Sequence, residues 1–395
     1  MPRTVSSLHN PPLDILAPLP SMASWAELPH DLIPVIAKRI KVMEDFIAFG
    51  AVCTSCRTAA TKDNFDLLSP QLPLLMLADR DDDYREFYSL SKEKVSRIFL
   101  PEARGRECFL SEGWLFTMSC NGEFNLLHPF SRNQIQLPSR QALSDFEGLD
   151  EVPKGQIYRC IDKAILSANP SHTSDYVLVI SYFNFSNCLA FWRPGDLNWT
   201  NIDTRNFGGA VATMNYYKGQ FFAVFYTGEV RVFDVAGPSI AQPIVKSHFL
   251  VRLKDKIFDE ASVQFYLVEL QGALLLVTRF AHHNEEEDGY DTFKFKLSEL
   301  DVIKRELRDI NDLGDSTIFL GRNGASSIDS SKFKGVKPNH IYFTDDWVEE
   351  FNYVKGGGGR DMGAYDLEDG KIESFYPGLS LSRICPPTWV IPSFR

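Results

Sequence analysis

The side chains best suited to chemistry gather at four places. His282-His283 is followed by Glu285-Glu286-Glu287-Asp288, and imidazole with carboxylate suits many divalent ions. The flanking Asn284 and Gly289 mark this stretch as a solvated hairpin loop, where adjacent side chains do not converge on one ion, and no spaced Asp/Asn/Gly ligand loop for calcium accompanies it. Cys53 and Cys56 form a C-x-x-C without the second pair that a structural zinc site needs, so they read as helix packing. Asp345-Asp346 could act as an acid pair, but at the end of a strand they read more simply as turn formers. Gly356 to Gly359 lacks the Lys-Ser and helix start of a phosphate-cradling loop and reads as a flexible loop tip. No nucleophile-elbow motif places a Ser, His and Asp set. The sequence therefore predicts no catalytic, metal or cofactor site, and a protein that acts by binding.

Composition narrows what is bound. A net charge of -11 argues against a phosphate backbone, which needs a basic stripe to displace counterions, so nucleic acid is not expected as a partner. Apolar runs such as Ala273 to Val277 are far shorter than the roughly 20 residues of a membrane-spanning helix. Met1 to Pro20 has several prolines and no apolar core of a secretory signal. The expectation is a soluble protein of the cytoplasm, the nucleus or both, with no membrane partner. Seven cysteines at scattered positions then read as reduced core residues. At 395 residues the chain exceeds the usual single-core limit of about 250 to 300, which predicts two domains or a repeat architecture.

The elements that must position any binding surface begin with a helical module. Ser24-Trp25-Ala26-Glu27 has the form of a capping box. Leu32, Ile36 and Ile40 then recur every four residues, the spacing of one helix face, with Asp31 placed to cap and Pro34 in the first turn. A second helical pattern runs through Phe46, Phe49, Val52, Cys53, Cys56 and Ala60. A module of about 40 residues buries too little apolar surface to stand comfortably alone, so its exposed apolar positions are expected to dock a partner.

From Leu72 onward short strand-like runs and turn dipeptides replace the helical period. Asn121-Gly122 and Asp369-Gly370 have the form of hairpin turns with positive φ at both central residues, and Thr227-Gly228 is a weaker third. The runs group into five consecutive sets of about four, near residues 107–138, 161–202, 210–250, 262–312 and 318–376. A period of roughly 40 to 55 residues is that of propeller blades. Three runs precede the first set, Leu72 to Ala78, Glu86 to Leu90 and Val95 to Leu100, and one follows the last, Trp389-Val390-Ile391. Together they would make a sixth blade that closes the ring and removes its open edges. The predicted fold is mainly β: a six-bladed β-propeller behind a small all-α module. A pair of β-sandwiches is the rival architecture. The predicted organisation is a tail over 1–23, the module over 24–66, a linker over 67–71 and the propeller over 72–395.

Two resemblances follow from these residues. Leu28-Pro29, Leu32, Ile36, Ile40, Val52-Cys53 and Arg57 resemble the F-box in order, with Cys56 where that pattern usually has Trp. The remainder looks like the KIB-type β-propeller found behind the F-box in a large group of plant proteins. The likeness is carried by Gly113-Trp114-Leu115, Leu127 to Arg132, Phe191 to Asp196, Tyr217 to Val224, Phe319-Leu320-Gly321-Arg322-Asn323, Ile341 to Asp346 and Asp361 to Leu367. It implies a non-catalytic, substrate-recruiting subunit of a Skp-cullin-F-box ubiquitin ligase. Leu28, Pro29, Leu32, Ile36, Ile40 and Val52 would then dock a Skp-type adaptor and, through it, a cullin, while the propeller holds a substrate protein. No propeller residue is singled out for the substrate, although the loops His282 to Asp291 and Asp346 to Arg360 are candidates. Trp347 and Phe351 in the second loop are expected as buried rim packing rather than exposed anchors. The alternatives are a propeller scaffold whose F-box is degenerate at Cys56 and has no ligase role, and a propeller enzyme such as a sugar or lactone hydrolase, with converging carboxylates or a metal in its central channel.

Overall fold

The structure, a computed structural model, describes residues 28–66, 69–143, 160–184, 186–204, 209–237, 245–253, 261–285 and 289–393. The chain divides into two compact units, Met1–Ser69 and Pro70–Arg395.

In the first unit three helices, α1 (Leu32–Arg39), α2 (Met43–Val52) and α3 (Thr54–Ala59), bury Ile33, Ala37, Met43, Phe46, Phe49, Cys56 and Ala59. Phe46 is the pivot, with its ring 4.9 Å from Phe65 and 6.4 Å from Phe49. Two sequence expectations change here. Asp31 makes no side-chain cap bond, because its own backbone is already helical at φ -74°, ψ -25°. The single second helical pattern is two helices, broken at Cys53, whose extended backbone lets its Sγ accept the Cys56 N–H at 3.4 Å. The C-x-x-C is therefore a helix cap. The expected capping box at Ser24 to Glu27 lies outside the described residues.

In the second unit the described strands form six sheets, the blades of a propeller. Blades one to four have four strands each: blade one spans Glu107–Ser111 to Gln134–Gln136, blade two Ile161–Leu166 to Thr200–Ile202, blade three Val211–Tyr217 to Lys246–Arg252 and blade four Ser262–Leu270 to Glu306–Ile310. Blade six joins Leu74–Met76, Tyr84–Ser89 and Lys94–Phe99 to the C-terminal strand Thr388–Val390, with Leu75 opposite Trp389. The ring is thus closed by its two ends, which a pair of sandwiches would not require.

The core is six seams between successive blades rather than one centre. Strand periodicity sends alternate side chains of one strand into different seams. Leu178, Ile180 and Tyr182 pack toward blade one, whereas Val177 and Val179 pack toward blade three. Phe222 and Val224 face blade four while Phe221, Ala223 and Phe225 face blade two. Burial on both faces explains why these strands read as continuous apolar runs.

Blade five differs from its neighbours. It has five strands, and the additional one, Gly324–Asp329, lies on the axial side of Ser316–Gly321, against the inner strands of blades one, three and four. The turn that leads into it, Arg322-Asn323, crosses the axis. Asn323 Oδ1 accepts the Ala164 N–H at 2.8 Å, and its Nδ2 donates to the carbonyls of Ala164 (2.7 Å) and Leu110 (2.8 Å). Arg322 pairs with Glu107 at 2.7 Å and lies over the Phe109 ring at 4.3 Å. The Lys163 ammonium donates to the Arg322 carbonyl. One dipeptide therefore ties blade five to blades one and two.

The turns also depart from expectation. Gly122 and Gly370 adopt positive φ but Asn121 and Asp369 do not. Both residues are positive at Glu112-Gly113, Lys218-Gly219 and Gln271-Gly272, which are two-residue hairpins of the expected kind. The four glycines from Gly356 are no loose tip. A Cβ on Gly358 would stand 2.2 Å from the Phe351 ring, and one on Gly359 2.2 Å from the Ser380 carbonyl oxygen. The segment threads between close backbones that exclude side chains.

Replacing Asn323 by Ala should cost about 2 to 4 kcal/mol, because buried Ala164 and Leu110 backbone groups lose their partners. Chemical denaturation of the full chain measures this. A loss no larger than that of an exposed Asn-to-Ala change would show that the axial bonds do not hold the ring.

Candidate functional site

Two surfaces carry functional potential, one in each unit. In the helical unit Leu32 is 45% and Val52 51% exposed, Pro29 is exposed, and Leu28, Ile36 and Ile40 are half-buried. Helical spacing sets Leu32, Val35 and Ile36 along one side of α1 and Ile47, Ala48, Ala51 and Val52 along one side of α2. Val35 and Ile47 are exposed large apolar side chains that the sequence reading passed over. Apolar exposure on this scale in so small a unit makes this face a candidate for interaction. Cys56 is fully buried, and burial pushes its thiol up from the ordinary cysteine range.

In the propeller the Arg322-Asn323 crossing separates two cavities. One, of about 310 Å³, is lined by the far ends of the inner strands and by Asn323, Trp389 and Ser393. The other, of about 720 Å³, opens at the starts of the inner strands of blades two, three and four, with Arg322 on its floor. Asp162 and Lys163 enter it from blade two, Tyr226 and Gln264 from blades three and four, and Glu349 and Glu350 from the segment before Gly356. The Tyr226 hydroxyl donates to Gln264 at 3.3 Å. Burial pushes the Asp162 carboxyl up to about 6 despite Lys163 and Arg322 nearby. Burial likewise pulls the Lys163 ammonium down, opposed chiefly by Asp346.

The wall of this cavity is fixed by a buried cation. Arg279 is fully buried and pairs with Asp346 at 2.8 Å and Asp361 at 2.7 Å. It also donates to the Tyr266 hydroxyl, to Thr292 Oγ1 and to the Thr344 carbonyl, and lies over Phe343 at 4.5 Å. Although burial opposes its charge, Tyr266, Asp361 and Asp346 hold the guanidinium charged above its ordinary range. Asp345 accepts the N–H groups of Gly359 and Arg360, and burial still pushes its carboxyl up to about 6. Asp345-Asp346 is therefore no simple turn. It fastens the segment from Asp345 to Asp361 to blade four. Trp347 and Phe351 are buried beside Ala281, and the Trp347 Nε1–H donates to Asp361 at 2.8 Å.

The histidines are also placed differently. His282 and His283 are the end of a strand, Ala273–Asn284, not a loop. His282 stacks on Phe293 at 4.1 Å while His283 meets Tyr290 edge-on at 5.3 Å, the divergence that strand alternation imposes. Glu286 to Asp288 lie outside the described residues.

The candidate loop Asp346 to Arg360 does supply Asp346, Trp347, Glu349 and Glu350 to the cavity, whereas Asp162, Lys163, Phe183 and Tyr226 were not singled out by the sequence. A signal existed: Asp162-Lys163 is a charged pair at the start of an otherwise apolar inner strand, Ile161–Leu166.

A helical unit preceding a six-bladed propeller with a structured axial crossing defines a β-propeller protein. The KIB1-4 beta-propeller family matches residues 87–366, and the chain belongs to that family. Relatives from Arabidopsis thaliana extend the likeness over the helical unit. F-box protein SKIP23 is 25% identical over 405 residues, covering 95% of this chain and 97% of its own. Probable F-box protein At4g22060 is 21% identical over 403 residues, covering 94% and 97%. F-box/kelch-repeat protein At1g64840 is 22% identical, covering 82% and 85%. The F-box and KIB-type resemblances therefore hold along most of the chain, and they suggest a substrate-adaptor role.

An aspartate whose carboxyl titrates near 3.8 when unfolded and near 6 when folded takes up a proton on folding between those values. Its burden on stability is absent below about pH 4 and complete above about pH 6. Asp162→Asn should therefore raise the unfolding free energy at pH 7.5 by on the order of 1 to 3 kcal/mol, seen as a higher Tm, and leave Tm unchanged at pH 4. Thermal melts at the two pH values decide it, and a loss of stability at pH 7.5 would refute the assigned burial cost.

Proposed function

We propose that this chain is the substrate-recruiting F-box subunit of a Skp-cullin-F-box ubiquitin ligase, working in the cytoplasm, the nucleus or both. The observation that carries the proposal is the exposed apolar face of the helical unit, in a chain whose relatives are named as F-box proteins along nearly their whole length. Leu28, Pro29, Leu32, Ile36, Ile40 and Val52 bury against a Skp-type adaptor, with Val35 and Ile47 widening the patch. The adaptor connects to a cullin. The propeller holds the target protein, so that its lysines stand near the conjugating enzyme at a raised local concentration. In this reading the chain performs no bond-making step of its own.

Burying a large apolar side chain contributes about 1.5 to 3 kcal/mol. Introducing a charge at two such positions should remove most of a micromolar affinity of about 8 kcal/mol. Full-length chain carrying Leu32→Glu and Val52→Glu is expected to lose co-purification with a Skp-type adaptor while melting near the parent temperature, since both positions are exposed. Undiminished adaptor capture by this variant, or by one with Leu28 and Pro29 both replaced by Ala, would defeat the proposal. A stable propeller partner without adaptor capture by the parent chain would favour the scaffold reading instead.

A further inference from the structure

The larger axial cavity carries more negative charge than its own cations neutralise. Arg322 is committed to Glu107 at 2.7 Å, and Asp346 to Arg279 at 2.8 Å. What is left facing the cavity is Asp162, Glu349 and Glu350 against Lys163 alone, and the Lys163 ammonium already donates to the Arg322 carbonyl. A chain with a net charge of -11 does not offset this from further away.

Aromatic rings stand in the same wall. Phe183 is 45% and Tyr226 40% exposed, and both line the cavity. Trp347 is spoken for, with Tyr290 stacked on it at 4.4 Å and the Arg279 guanidinium 5.6 Å from its ring. The faces of Phe183 and Tyr226 are therefore the ones a ligand meets. A ring face attracts a cation, and a carboxylate partly buried in a cavity, as Asp162 and Glu350 are, attracts it more strongly than it would on an open surface. The volume, about 720 Å³, exceeds one side chain and accommodates a short stretch of extended peptide.

We infer that this mouth holds its partner protein by a segment bearing lysine or arginine, whose cation lies among Asp162, Glu349 and Glu350 and against the rings of Phe183 and Tyr226. An acidic or phosphorylated segment would meet net repulsion here, and a purely apolar one would strip water from three carboxylates without pairing them. The burial of Asp162 fits the same logic, because a cation entering the cavity would offset the stability cost of its charge. The inference rests on reading the propeller as the part that holds the target, but not on the identity of the ligase.

The test uses the full-length chain and fluorescein-labelled pentapeptides with a central Arg, Lys, Leu or phosphoserine between glycines, followed by anisotropy at about 50 mM salt, where screening is weak. The Arg and Lys peptides should bind at least about ten-fold more tightly than the Leu and phosphoserine peptides, a difference of about 1.4 kcal/mol. The triple change D162N, E349Q and E350Q should abolish that preference. A control that removes the same number of charges elsewhere on the propeller, E93Q, E306Q and E368Q, should leave binding within about two-fold, which separates the cavity from the overall charge. Equal binding of the Leu peptide, equal weakening by the control, or an unaffected triple variant would each overturn the inference. Failure to capture a Skp-type adaptor while the Arg peptide still binds would remove the ligase proposal and leave this one standing. Adaptor capture without peptide preference would do the reverse.

Discussion

The axial crossing at Arg322-Asn323 is the constraint on which the propeller's geometry turns. Blades built of separate sheets are held to one another by apolar seams, and such seams resist separation better than they resist sliding. Hydrogen bonds are directional, so the three that Asn323 makes to Ala164 and Leu110 fix where blades one and two stand relative to blade five. The Arg322–Glu107 pair adds a charge-assisted contact that burial would punish if either partner moved away. Because the crossing lies between the two axial cavities, it places Arg322 on the lining of the larger one and Asn323 on that of the smaller.

A second fixed point sits in the wall. The segment between Phe343 and Gly363 has little regular structure, yet it is not loose. Arg279 draws Asp346 and Asp361 onto blade four from two points of that segment, and Asp345 holds the Gly359 and Arg360 amides. The absence of side chains at Gly357, Gly358 and Gly359 lets the backbone pass Phe351 and the Ser380 to Arg383 stretch at distances that a Cβ would forbid. Glu349 and Glu350 are thereby presented to the cavity by a braced segment, which limits the ordering cost that a mobile binding loop would carry.

Much of this architecture was legible in the sequence, for identifiable reasons. Blade count and ring closure followed from spacing, because each blade must stack on neighbours, and the run Trp389-Val390-Ile391 had no other place to pair. Phe319 to Asn323 stood out by resemblance, but its role did not, since an Arg-Asn turn reads locally like any other. Asp345-Asp346 and Gly356 to Gly359 were misread for the same reason. Acid pairs and glycine runs favour turns in isolation, and only a distant Arg279 or Phe351 converts them into buried anchors. The hairpins at Glu112-Gly113, Lys218-Gly219 and Gln271-Gly272 escaped because a charged or amide side chain is an uncommon occupant of positive φ, adopted here under the demand of strand twist. In the helical unit periodicity found the helices but not their break at Cys53, since a sulfur that caps looks like a sulfur that packs.

The two surfaces differ in a way that suits an adaptor. The helical unit is small, with a core centred on Phe46, and leaves Leu32, Val35, Ile47 and Val52 in water. Apolar surface of that kind is non-directional and costly to expose, so it is best kept covered by a standing partner. The propeller is completed by its own closed ring, which leaves no open sheet edge between its first and last strands. Its cavity offers charge and aromatic faces instead, whose interactions are directional, sensitive to salt and easily exchanged with water. An adaptor requires that combination: a contact that persists on the scaffold side, and one on the target side that can be made and released while the scaffold stays in place.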